Sequence, residues 1–97
     1  MKTGIDLIAE ERAEQIVKHN RSIMDDVKYN TKGQLSVAAG ILAQKNIPDQ
    51  VKETLIPKGW DSPIWNRMIN KPYKERLVIA GALIAAELDR LEATEQA

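Results

Sequence analysis

Arg12 is the side chain most out of place in this chain. With Ile5 set at zero and each residue turned by roughly 100°, Ile5, Ile8, Ala9, Ala13 and Ile16 make one apolar stripe. Arg12 projects at about 340°, inside that stripe, and Gln15 and His19 follow its edge at about 280° and 320°. Glu10, Glu11, Glu14 and Lys18 take the far, solvated side. A guanidinium in such a place either snorkels, with its stem on the core and its head in water, or is held by a carboxylate. Asp26 or Asp25 is the first choice of partner and Glu87 the second. Glu87 and Arg76 share a row of the last helix about 16 Å apart, so each needs a partner elsewhere.

The chemistry open to these groups is binding. With no cysteine, the chain has no disulfide, thiolate metal site or thiol nucleophile. It carries no nucleophile elbow, Walker loop or Gly-rich dinucleotide loop, and no catalytic residue is assigned. Asp25-Asp26, joined by Glu87 or Glu11, offers oxygen atoms to a divalent ion. Neither an EF-hand loop nor a histidine-carboxylate spacing surrounds them, so no metal or cofactor is expected. Trp60 and Trp65 either anchor the segment around them or stack on a planar ligand, with Lys58, Arg67, Lys71 and Lys74 near enough to meet a phosphate. Fourteen basic residues cancel fourteen acidic ones, which removes the global field that draws a chain to nucleic-acid polymers or anionic membranes. A small anionic ligand fits better. The residues expected to bind it are Arg12, Gln15, Asp25, Asp26, Trp60, Trp65, Lys74, Arg76 and Glu87.

Helices must position these groups. Ninety-seven residues make one domain, and without Phe its core falls to Leu, Ile, Val and Ala, which favours closely approached helices. The first helix is expected from Ile5 to about His19, N-capped by Thr3. A polar connection from Asn20 to Lys32 follows, with Ser22 capping one turn. Thr31 and Gln34 have capping-box spacing and open a second helix to about Asn46. Leu35, Ala38, Ala39 and Leu42 form its inner face, with Val37 and Ile41 behind. Its Ala38-Ala39-Gly40 is expected to cross Ala80-Gly81-Ala82 closely. Ile47 to Ile69 is a structured excursion: a short helix from Asp49 to Leu55, a turn at Pro57-Lys58-Gly59, and another short helix from Asp61-Ser62-Pro63.

The last helix, from Asn70 to about Glu92, is expected to be central. Its apolar run from Leu77 to Ala86 is well short of the roughly 20 residues of a membrane span. Tyr73, Leu77, Ala80, Gly81, Ile84, Leu88 and Leu91 form its main stripe, and Val78, Ile79, Ala82, Ala85 and Ala86 cover the opposite side. One face is expected to meet the domain's own core. Val78, Ala82 and Ala85, with Val37 and Ile41, are left to a second copy. The fold class is thus all-α, three principal helices plus a short-helix excursion, self-associating. Asp6, Glu10 and Glu11 interrupt anything like a signal peptide, so a cytoplasmic protein is expected.

One larger pattern runs through the chain: Glu-Arg-x-x-Gln, Asp-Asp, Gly-Glu-Leu-x-x-Ala-Ala, then tryptophans and a closing Arg-x-Leu-Val-x-Ala-x-Ala-Leu-Ile-x-Ala-Glu-x-x-Arg-Leu. Glu11, Arg12, Gln15, Asp25, Asp26, Gly33, Leu35, Ala38, Ala39 and Trp65 meet it, as do Arg76, Leu77, Val78, Ala80, Ala82, Leu83, Ile84, Ala86, Glu87, Arg90 and Leu91. The closing stretch departs by one spacing, and Gln34 stands where the pattern has Glu. In these residues the chain resembles a family of small phage and prophage proteins. The resemblance implies a phage setting in the host cytoplasm. Some members adjoin domains similar to all-α nucleotide pyrophosphohydrolases, which hold magnesium with Glu-x-x-Glu and Glu-x-x-Asp helices. Glu11-x-x-Glu14 matches the first half and Asp89-x-x-Glu92 reverses the second. The function expected from this setting is non-enzymatic: withholding a nucleotide-derived host immune signal, as an anti-defence protein. The alternatives are a magnesium-dependent pyrophosphohydrolase-like enzyme and an interaction module acting on a host protein.

Overall fold

The protein is described here by a computed structural model covering residues 1–18 and 23–95. Regular structure among them is entirely helical: α1 (Gly4–Lys18), α2 (Ile23–Tyr29), α3 (Gln34–Leu42), a 3-10 turn (Asp49–Val51), α4 (Ser62–Ile69) and α5 (Tyr73–Glu95). The class is the expected one, but there are five α-helices, and α2 is the addition: a two-turn helix where a polar connection was expected. Among the described residues, no helix is long and apolar enough to cross a membrane.

Local chemistry sets most of the helix ends. Thr3 caps α1 reciprocally, its Oγ1 accepting the Asp6 N–H at 3.2 Å while Asp6 Oδ2 accepts the Thr3 N–H at 2.8 Å. His19 and Ser22 lie outside the described residues. Thr31 does not open α3. Gly33 does, in the left-handed region at φ 78°, and Gln34 turns its side chain back to accept the Lys32 N–H and donate to the Tyr29 carbonyl. Asp61 stands before α4 with Pro63 in its first turn. Pro72 separates α4 from α5, which moves the start of α5 from the expected Asn70 to Tyr73. The Pro72 carbonyl accepts the Arg76 N–H at 3.0 Å, while the proline cannot carry α4 onward.

Arg76 ends α3 at Leu42, earlier than the expected Asn46. Its guanidinium donates to the carbonyls of Leu42 (2.9 Å), Gln44, Lys45 (3.1 Å) and Lys71 (3.0 Å), satisfying the open end of a helix remote in sequence. The cation also complements the negative end of the α3 dipole.

Around α5 pack α3, α1, α2 and, more slightly, α4. Leu35, Ala38, Ala39 and Leu42 of α3 join Ile79, Ala80, Leu83 and Ala86 of α5 in the core, as the α3 periodicity implies. Gly40 faces open space. Gly81 serves α1 and not α3, because a Cβ there would come within 2.4 Å of the Ile8 side chain. The excursion closes one end of the core. Trp65 is wholly buried and donates its indole N–H to the Lys52 carbonyl, with Trp60 edge-on at 6.1 Å.

The two faces of α5 are reversed from expectation. Ala82 is fully buried and Val78 and Ala85 partly, because α1 lies over that side. Ile41 packs against the core, and only Val37 of the expected spare face stands half exposed. The bare face is most of the main stripe: Tyr73, Leu77, Ile84, Leu88 and Leu91 are 37–58% exposed, while Ala80 is in the core and Gly81 lies under Ile8. α1 is displaced in the same sense, burying Arg12 and Gln15 while Ile5 and Ile16 face outward.

A candidate ligand site in the buried polar seam

α1 and α2 each dock on α5 with polar side chains inward. On α2 the buried residues are Asp26 and, just past its end, Asn30, while Met24 and Tyr29 are exposed. Their spacing of one helical turn puts both on one side. Asn30 donates to Asp26 Oδ1 at 2.8 Å and accepts the Trp60 indole N–H at 2.9 Å, so a hydrogen-bonded line runs from the excursion to α2. From α5, Arg90 binds Glu87 one turn back. That bond chiefly, with the nearby negative charges of Glu87 and Asp26, raises the Arg90 pKa against the opposing effect of burial.

Arg12 meets neither Asp26 nor Glu87. Its Nη2 donates to Asp89 Oδ2 at 3.3 Å, and the Asp89 side chain is 45% exposed. Two circumstances redirect it: Glu87 is engaged by Arg90, and α1 lies over the side of α5 that carries Asp89. Gln15, one turn on, donates to Glu11 at 3.3 Å. These bonds leave four buried atoms without a hydrogen-bond partner among the described residues: Arg12 Nε and Nη1, Gln15 Oε1 and Asp26 Oδ2. Such atoms are rare in native proteins, since each forgoes about 1–3 kcal/mol of hydration. Three of them lie on α1 and one on α2, both helices docked on α5, and they mark where polar partners are missing.

The structure brings Asp26 and Glu87 to Arg90, ties Trp60 to Asp26 through Asn30, and sets Arg12 on Asp89 with buried Gln15 one turn on. It separates the other expected residues. Asp25 is exposed on the outer side of α2. Trp65 is in the core. Arg76, engaged by four carbonyls and stacked 5.6 Å from the Tyr73 ring, is the cap of α3. Lys74 stands at the start of α5, beside a groove it shares with Glu10, Glu11 and Glu14. Asn30, Asp89 and Arg90 were not expected at the site, although Asn30 at one turn from Asp26, and Arg90 at one turn from Glu87, are legible as same-face pairs.

A second cleft of about 390 Å³ opens beside the end of α3 and is lined by Lys45, Lys52, Lys71 and Arg76. Its cations are largely engaged: Arg76 by carbonyls, Lys52 by Asp49 at 2.8 Å and Asn70 at 3.0 Å, and Lys71 toward Glu75 at 3.8 Å. Among the described residues, no three His, Cys, Asp or Glu side chains converge as a metal site. Compared with family models, curated proteins and solved structures, the chain matches none. The seam therefore stands on its own geometry. Its orphaned guanidinium N–H groups suit an anionic oxygen, and its orphaned amide and carboxylate oxygens suit hydroxyl or N–H donors.

Proposed function

We propose that this is a non-enzymatic, self-associating binding protein that takes up a nucleotide-derived small molecule in the polar seam between α1, α2 and α5. The observation that carries this reading is the set of four buried polar atoms without partners on Arg12, Gln15 and Asp26. A nucleotide is amphoteric in the required sense. Its phosphate accepts from Nε and Nη1 of Arg12, and its sugar hydroxyls or base N–H groups donate to Gln15 and Asp26. α1 and α2 each pack on α5 and scarcely on each other, so a ligand can enter between them without dismantling the α3–α5 core. In the phage setting that the sequence resembles, such a protein works in the host cytoplasm by withholding a signal from immune effectors.

Calorimetry against a panel of nucleotides and cyclic nucleotides, with and without EDTA, tests this. Binding unaffected by EDTA and abolished by Arg12→Met is expected. Met keeps the stem of Arg12 and removes two orphaned donors, and the bond lost to half-exposed Asp89 is worth about 1 kcal/mol or less. Arg12→Met should therefore remain folded. Turnover appearing only with magnesium would replace this reading with the hydrolase one.

A further inference from the structure

The bare stripe of α5 has a symmetry of its own. Along the helix Tyr73, Leu77, Ile84, Leu88 and Leu91 share one side, within about 40° of Leu77. Their order reads nearly the same in both directions about Ala82 and Leu83. Leu77 and Leu88 lie equally far from this centre, Tyr73 and Leu91 lie outside them within one residue of equal distance, and Ile84 lies close to it. We propose that this stripe pairs with the same stripe of a second copy, the two α5 helices antiparallel about a two-fold axis at Ala82–Leu83. Leu77 then packs on the partner's Leu88, Tyr73 on the partner's Leu91, and Ile84 lies beside the partner's Ile84 near the axis.

Charge fits the same operation. Lys74 and Glu92 are both exposed and lie on one flank of the stripe, each about 60° round from Leu77. A two-fold perpendicular to the helices keeps each flank on its own side and exchanges the two ends. It thus brings Lys74 beside the partner's Glu92, twice. A two-fold parallel to the helices would instead exchange the flanks and keep Lys74 and Glu92 at opposite ends.

Area fits as well. The five side chains of the stripe are each 37–58% exposed, while the Val78 side of α5 borders a groove with Glu10, Glu11 and Glu14 of α1. Together the five stripe side chains leave on the order of 400 Å² of apolar surface, within the range of the largest patch on a monomer. A standard interface buries roughly 800 Å² per partner, of which this stripe would be the apolar centre. Isologous pairing is also the commonest closed arrangement for a single chain.

This inference rests on the proposed self-association and is independent of the ligand, so the two are tested apart. Sedimentation at tens of micromolar should show a dimer, and Ile84→Asp, at a half-exposed position that tolerates charge in the folded subunit, should raise its Kd at least tenfold with an unchanged helical spectrum. Because the chain has no cysteine, a Leu77→Cys, Leu88→Cys double variant should form disulfide-linked dimers under mild oxidation, whereas Leu77→Cys alone should not. Lys74→Glu should weaken the dimer, and adding Glu92→Lys should restore it. A wild-type monomer at 100 μM overturns the proposal, as does a monomer that floats with lipid vesicles, the face then being a membrane-docking one. A dimer that survives Ile84→Asp overturns this surface and leaves self-association standing. Nucleotide titration of the Ile84→Asp monomer reads the ligand site separately.

Discussion

Two arginines sit among apolar side chains in this protein, and their surroundings give them opposite tasks. Arg76 spends four N–H groups on carbonyls at the end of α3 and before α5, so its charge is consumed in closing the fold. Arg12 spends one, on a carboxylate that water already reaches. Arg76→Met should strand the buried Leu42 carbonyl and its neighbours and cost about 3 kcal/mol, read from urea unfolding. Arg76→Lys should recover only a minor part, because one ammonium cannot span carbonyls that a planar fork reaches together. Both arginines were visible in the sequence as cations out of place. Which one would find its partners was not, since those partners come from Leu42, Lys45 and Lys71 backbone that no side-chain pattern reports.

At the level of single helices, the α1–α5 contact depends on Gly81. Alanine there would gain up to about 1 kcal/mol in helix propensity. Its Cβ would, however, stand 2.4 Å and 2.7 Å from Cδ1 and Cγ1 of Ile8, and overpacking of that kind costs about 1–3 kcal/mol. Overpacking wins: Gly81→Ala should lower stability, and Ile8→Ala in the same chain should relieve it, as thermal melts of the three variants will show. The start of α1 carries a pH dependence. The Thr3 backbone N–H, and secondarily its hydroxyl, hold the Asp6 pKa below the ordinary carboxylate value. A depressed folded pKa means that the contribution is present above the unfolded value and lost as pH falls through the folded one. The first turn of α1 should therefore fray as pH drops below about 4, faster than in Asp6→Asn measured by amide exchange at the same pH.

For the molecule as a whole, α1 and α2 are inverted relative to a self-sufficient domain, burying Arg12, Gln15, Asp26 and Asn30 while exposing Ile5, Ile16, Met24 and Tyr29. Both features have the same cause. A 97-residue chain has one modest core, and α3, α4, α5 and the excursion fill it. What remains for the other two helices is a polar seam inside and an apolar face outside. If that face binds a second copy, dimerisation adds to folding stability by mass action, and Tm should rise with protein concentration. Scanning calorimetry over a hundredfold concentration range should show that rise in the wild-type protein and a flat line in Ile84→Asp.

The sequence by itself determined the local features: the Thr3 cap, the inner face of α3 and the turn at Gly59. Each of these depends on neighbours within a few residues, where spacing and residue type carry the whole cause. Only the tertiary structure decided which side of α5 is covered, where α2 forms, and that Asp89 and not Asp26 or Glu87 receives Arg12. Helical periodicity sets the angles between side chains on one helix, but it does not say which angle another helix will occupy. A helix that is apolar on two sides satisfies either choice equally well by itself. The choice falls to α1, whose Ile8 fits against the bare backbone of Gly81 on one side only.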